Sequence, residues 1–475
     1  MLRVMQVASA VAKQTAGNST RFSLFPWTGL VAALLAAIPA STQAAPRPET
    51  PIDHIVLIYQ ENHSFDNLFG EFPEAAGIPK LPSEGVQVDR FGFPYRRLPP
   101  VRDGKSPDSR FPADLPNRPF PLLSYVSLRE TIPDPVHSFY RNQLQIARGV
   151  GSGYVAWGTT GALPMGYYQT DRLPIYRLAR EYTLLDHFFQ AAFGGSFLNH
   201  MWLVAAQTPS WAHPPADWVA EPLFDENGRL IGLRRDGRVT PDGYVVGTVE
   251  GASAPHRTIT PKDHLLPPLS MPTIGERLTE AGISWAWYSG GWRDALAGRP
   301  APTFQFHHQP FAYFARYGSG SPERAIHLKD ETDFLADLQN ERLPSVCFLK
   351  PLGIHSEHPG YSDVEEGQKH VISLVRAIQA SRYWSRCLIL LTYDEYGGFW
   401  DHLPPPQGDR WGPGTRIPAL LISPYTEKGG VDHHLYDTTS FLRFLEWRFA
   451  LRPLADRDAA ATNLTEAFRP PTRQP

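Results

Sequence analysis

Ile55-Val56-Leu57-Ile58-Tyr59-Gln60-Glu61-Asn62-His63-Ser64-Phe65-Asp66-Asn67 is the stretch that decides the fold. Its first half is an unbroken apolar run, and its second half is dense with oxygen and imidazole donors. A strand buried on both faces reads as such a run. In an open α/β sheet, ligands sit outside the carboxyl ends of the strands. Cys387-Leu388-Ile389-Leu390-Leu391-Thr392-Tyr393-Asp394-Glu395 repeats the design near the other end of the chain. Two apolar strands that each end in acids predict one metal site, mononuclear or binuclear, assembled from both ends of the sequence.

Between and beyond these runs the α/β rhythm continues. Helical patterns are expected at 174–182, 273–278, 368–381 and 439–449, and strands at 184–189, 284–288, 345–349 and 419–424. Alternating strands and helices predict an α/β sandwich of three layers, with a mostly parallel central sheet covered on both faces. Residues 222–250 differ: Asn227-Gly228, Asp236-Gly237 and Asp242-Gly243 punctuate short apolar stretches, the mark of a small antiparallel β insertion. The stretch 71–120 is rich in proline and charge and is expected to be irregular.

Composition narrows the class. Lys plus Arg number 45 against 48 Asp plus Glu, a net charge of -3 that gives no basis for nucleic-acid binding by phosphate neutralisation. Proline (47) and glycine (38) together stay below the roughly 25–30% that marks disorder, so long stiff loops are predicted instead. At the N-terminus Arg3, Lys13 and Arg21 precede the apolar run Leu30–Ile38, and Thr42-Gln43-Ala44 suits cleavage. The run is shorter than the ~20 residues that span a bilayer. Residues 1–44 are therefore predicted to be a signal peptide and 45–475 one mature domain, periplasmic or secreted, without a membrane span; an uncleaved anchor is the alternative. The two cysteines, Cys347 and Cys387, exclude a disulfide scaffold and leave open one bond or two thiols.

Glu61, Asn62, Asp394 and Glu395 are hard oxygen donors, suited to a divalent cation. Any one of them alone is more often a cap or an ion-pair partner. Gly194-Gly195-Ser196 opens a helical pattern, so the serine hydroxyl lies where backbone N–H groups and the helix dipole favour a phosphate. A plain N-cap serine fits the same turn. His137, the pair His307-His308, and His358 lie in polar loops where imidazoles can bind phosphoryl oxygens or protonate a leaving group. Neither a Gly-x-Ser-x-Gly elbow nor a His-Glu-x-x-His helix is present.

Glu61-Asn62-His63-Ser64-Phe65-Asp66 resembles the Glu-Asn-Arg-Ser-Phe-Asp signature of the bacterial phosphoesterase family of phospholipases C and acid phosphatases. Tyr393–His402 resembles its second signature, and Arg416–Pro424 with Thr439–Glu446 its C-terminal pattern. The resemblance implies an alkaline-phosphatase-like fold. It implies a divalent metal ion held by Glu61, Asn62, Asp394 and Glu395 and bound to the nucleophile Ser196, a serine in the acid phosphatases and commonly a threonine in the phospholipases. His137, His308 and His358 match catalytic histidines, and Asn62, His307 and Asn199 match substrate-binding positions. The expected activity is a non-specific acid phosphatase working through a phosphoserine. The alternatives are a phospholipase C cleaving phosphatidylcholine-type diesters, and a protein that binds a phosphate ligand or metal without turnover. Small phosphate esters or phospholipid are the expected partners.

Overall fold

Strand β1, His54–Gln60, lies inside an eight-stranded sheet, and its residues Ile55, Val56, Leu57 and Ile58 are wholly buried. Burial of each such side chain contributes about 1.5–3 kcal/mol. The structure, a computed structural model, describes residues 47–79, 85–253 and 255–468. The predicted signal peptide, 1–44, lies outside the described residues. The sheet continues with β2 (Thr183–Leu185), β3 (Trp285–Ser289), β4 (Leu328–Asp330), β5 (Val346–Lys350), β6 (Cys387–Tyr393), β7 (Ala419–Ile422) and β8 (Val431–Asp432). Its spatial order is β4-β3-β5-β1-β6-β7-β2-β8. All pairings are parallel except those of β7, which runs antiparallel to both neighbours.

Helices cover both faces. Trp287 and Tyr288 are consecutive on β3 and so point to opposite sides. Tyr288 meets Phe334 of the helix Glu331–Gln339, ring centroids 5.4 Å apart. On the other side Phe348 stacks on Trp287 at 5.3 Å and meets Phe441 of the helix Thr438–Phe449 at 5.9 Å. This is the three-layer α/β sandwich expected from the sequence. The helix Val364–Gln379 shows why the local pattern holds. The Asp363 carboxylate caps it by accepting from Glu366 N at 2.9 Å, and Val364, Val371, Leu374, Val375 and Ile378 form its buried stripe.

Register places the site. Pairing between β1 and β6 runs from His54 opposite Cys387 to Gln60 opposite Tyr393. The two strands therefore end level, and Glu61-Asn62 leaves the sheet beside Asp394-Glu395. Cys347 pairs with Val56 on the other flank of β1, so a whole strand separates it from Cys387, and both are free buried thiols. Glu221–Phe224 and Leu230–Arg235 form an antiparallel ribbon closed at Asn227-Gly228, where Gly228 has φ +74°. Just past it Asp236 Oδ2 accepts from Ser138 Oγ at 2.6 Å and Arg141 Nε at 2.7 Å, which ties the ribbon to the segment after His137.

Candidate active site

The strand-end loops are knitted together before any ligand is considered. Asn62 N donates to Asp394 Oδ1 at 3.3 Å, although the two residues are 332 positions apart. His63 N donates to the Glu395 carbonyl at 3.1 Å, and Ser64 Oγ to the Trp400 carbonyl at 2.7 Å. Behind them lies Arg416, fully buried. Its Nη2 donates to Asp66 Oδ1 at 2.9 Å, its Nε to Asp401, and its Nη1 to the carbonyls of Ala76 and Asp186. His402 Nδ1 lies 2.7 Å from Asp66 Oδ2. Asp66, Asp401 and His402 are thus partners of one buried cation, which explains their place in the two sequence motifs structurally.

Glu61, Asn62, Asp394 and Glu395 are all buried. Glu61 Oε2 accepts from Tyr361 at 3.1 Å, while Oε1 faces His308 Nε2 and Lys350 Nζ, the latter at 2.9 Å. Glu395 Oε2 accepts from Gly397 N at 2.8 Å. Asn62 Oδ1, Asp394 Oδ2 and Glu395 Oε1 have no hydrogen-bond partner among the described residues. Buried acceptors left open in this way carry a penalty that a bound cation removes. Burial pushes the Asp394 carboxyl up to about 6 against the pull of Lys350, and burial likewise raises Glu395. Glu61 moves the other way: the neighbouring His308 and Lys350 overcome its burial. The set fits a divalent ion, which would ionise all three acids.

Ser196 begins the helix Ser196–Ala205 and is nearly buried. Gly194 has φ +88°, and a Cβ there would lie 2.5 Å from Phe139 N, so only glycine lets the turn pack against the segment after His137. His200 Nδ1 lies 2.7 Å from the Ser196 carbonyl and 3.8 Å from Asp394 Oδ2, and the Ser196 hydroxyl favours the ionised Asp394 carboxyl. Ser196 is thereby joined to the strand-end acids. Asn199, expected to touch substrate, does something else. Its Nδ2 donates to the carbonyls of Ala192, Gly194 and Gly195, its Oδ1 accepts from Ala192 N, and its exposure is zero. It clamps the turn that carries Ser196.

The histidines split into two groups. His307 and His308 are buried within ligand distance of Glu61, and His200 stacks on His308 with ring centroids 5.6 Å apart. Burial depresses all three, His308 to about 4, so this group is neutral near pH 7. His200 Nδ1–H donates to the Ser196 carbonyl at 2.7 Å. The second group is His137 and His358, ring centroids 5.9 Å apart. Burial would lower His137, but Glu395 (Oε1 3.7 Å from Nε2) and Asp134 outweigh it and lift it to about 9. His137 therefore carries a proton at neutral pH, 3.3 Å from Asn62 Nδ2. His358 Nδ1–H donates to the Pro359 carbonyl at 2.6 Å, and its ring stacks on Tyr361 at 4.3 Å.

A family model, the phosphoesterase family, matches residues 52–452. The chain belongs to the phosphoesterase family. Like its family it is a hydrolase of phosphate-ester bonds. Relatives include phospholipase C B of Mycobacterium tuberculosis, 27% identical, with 88% of this chain and 78% of that protein aligned. The non-hemolytic phospholipase C of Pseudomonas aeruginosa is 25% identical over 96% of this chain and 62% of its own. Among solved structures, an alkaline phosphatase superfamily protein from Vibrio parahaemolyticus aligns at 13% identity and TM-score 0.33, over 62% of this chain and 67% of that one.

Two residues of the candidate site carry little or no signal in the sequence. Lys350 was hidden as the last residue of an apolar strand, and its only signal is a charge closing a buried run. Tyr361 sits in a loop and carries no sequence signal.

Proposed function

We propose that the protein is an exported, metal-dependent phosphoesterase of the phospholipase C type, with Ser196 as nucleophile. The carrying observation is the meeting of Glu61-Asn62, Asp394-Glu395 and Ser196 at one sheet edge, with three open buried acceptors among them. Glu61, Asn62, Asp394, Glu395 and the Ser196 hydroxyl would hold the divalent ion, which supplies positive charge toward the nucleophile and the phosphoryl oxygens. The Ser196 hydroxyl gives its proton to solvent, and Oγ forms the bond to phosphorus while the bond to the leaving oxygen breaks. Protonated His137 is the acid that gives its proton to that oxygen, with His358 beside it. Water then gives a proton to the deprotonated His137 and forms the new bond to phosphorus as the Ser196–phosphorus bond breaks, and Oγ regains its proton from solvent. Neutral His307 and His308 and the Asn62 amide bind phosphoryl oxygens. The phospholipase C assignment draws on relatives whose names specify that activity.

Cleavage of monoesters is the second reading, favoured by the serine at position 196. A paired assay decides between them: p-nitrophenylphosphorylcholine against p-nitrophenyl phosphate, pH 4–9, before and after chelation and metal add-back. Turnover of the choline ester alone supports the phospholipase. Turnover of the monoester alone refutes it in favour of the phosphatase. Full activity after exhaustive chelation refutes metal dependence.

A further inference from the structure

Lys350 carries a charge that opposes the binding of a cation by the acids around it. It ends β5 and is fully buried. Leu349 pairs with Ile58, so Lys350 lies level with Tyr59, just short of Glu61. Its Nζ is 2.9 Å from Glu61 Oε1 and 3.8 Å from Asp394 Oδ2. It also donates to the Gln60 carbonyl at 3.3 Å and lies 5.0 Å from the centre of the Tyr59 ring. All four partners belong to the two strand ends that carry the acids. Glu395 on the far flank is matched by His137, which leaves Glu61 and Asp394 as the acids Lys350 faces.

A buried ammonium among metal-binding carboxylates repels the incoming cation. It also adds positive charge beside the ion once that is bound, the sign a phosphoryl anion needs. We propose that Lys350 is a fixed cation of the loaded site, a positioning charge that loosens the hold on the metal and tightens the hold on the phosphoryl group. The inference rests on the metal-dependent reading above. It predicts effects of opposite sign on the two ligands, which a residue that only keeps the site in shape cannot produce.

The test is Lys350→Met, which removes the ammonium and keeps most of the stem, with Mn²⁺ and vanadate as probes in calorimetry on the purified chain. Mn²⁺ is expected to bind the variant at least ~10-fold more tightly than the wild type, and vanadate to bind the Mn²⁺-loaded variant at least ~10-fold more weakly, since one charge at this range is worth more than a decade. Lys350→Arg retains the charge and keeps both affinities within about threefold. Should Lys350→Met fail to fold, Lys350→Gln replaces it under the same expectations. Both ligands weakened together, or either left unchanged, overturns the role of Lys350 while Mn²⁺ binding by the wild type preserves the metal site. No Mn²⁺ binding by the wild type overturns the metal-dependent reading, and this inference with it.

Discussion

Asn62 has a left-handed backbone, φ +65°, at the point where β1 gives way to the site. Its backbone N–H holds Asp394 Oδ1, and its amide lies 3.3 Å from His137 Nε2. Asn62→Gly and Asn62→Ala separate its backbone from its side chain, because both delete the amide and only one suits the conformation. A preorganised polar contact to a phosphoryl oxygen is worth about 2.7–4 kcal/mol, or roughly 10²–10³ in kcat. Both variants should therefore lose about two to three orders of magnitude in kcat/KM, by similar amounts. Their stabilities should differ. Alanine in the left-handed region costs roughly 1–2 kcal/mol that glycine does not. Glycine's greater unfolded-state freedom offsets about 0.5–1 kcal/mol of that advantage. Asn62→Ala is then expected to be less stable than Asn62→Gly by on the order of 1 kcal/mol. Steady-state kinetics on a chromogenic phosphate ester and urea unfolding of both variants are the assays. An Asn62→Gly enzyme with more than a tenth of wild-type activity refutes the role given to the amide. Equal stability of the two variants refutes the backbone constraint.

Ser196→Ala should reduce turnover to background while far-UV circular dichroism and the unfolding midpoint stay at wild-type values; residual activity above a few per cent contradicts a serine nucleophile. Gly397 has φ +63°, and a Cβ there would lie 2.1 Å from the Asn62 carbonyl oxygen, so Gly397→Ala should cost several kcal/mol and leave little soluble protein. A soluble variant with the wild-type midpoint removes that clash from the account. Burial pushes the Glu357 carboxyl up to about 8, despite hydrogen bonds from Tyr393, Gln368 and Gln60. Its folded value lies above its unfolded one, so the neutral acid's contribution is fully present below about pH 4.5 and is lost as pH rises to about 8. The loss amounts to a few kcal/mol. Urea unfolding should show wild-type stability falling between pH 5 and 8 relative to Glu357→Gln, and parallel profiles would contradict a buried neutral acid.

The central strands were legible because a two-faced buried strand has a distinctive composition: β1 is apolar over 55–59 and β6 over 387–391, and the polar residues that follow announce ligands. Ser196 was legible through its glycines, since the left-handed Gly194 is a backbone demand written directly into the sequence. Lys350 and Tyr361 were not legible. A lysine after an apolar run is ordinarily a solvated strand end, and its burial here depends on β1 and β3 lying on either side, which no local pattern states. Asn199 was readable as important but not for what it does, because an amide facing a phosphate and an amide clamping a turn have the same spacing from the serine. The roles of Asp66, Asp401 and His402 stayed hidden for a similar reason: acids in ligand-rich loops look like metal ligands until the buried guanidinium that claims them is seen.

The pairing of β1 has a consequence for how the chain is made. Both its neighbours, β5 and β6, come from the last third of the sequence, and Arg416 closes on Asp66 across 350 positions. A ribosome releases residues in order, so the first strand of the sheet must wait, with both edges open, until most of the polypeptide has followed it. Until then it is an unpaired apolar strand, the kind of segment that seeks other strands. Partly synthesised or C-terminally clipped chains should therefore be inert and prone to aggregate. The same ordering delays hydrolytic activity until the whole polypeptide is present.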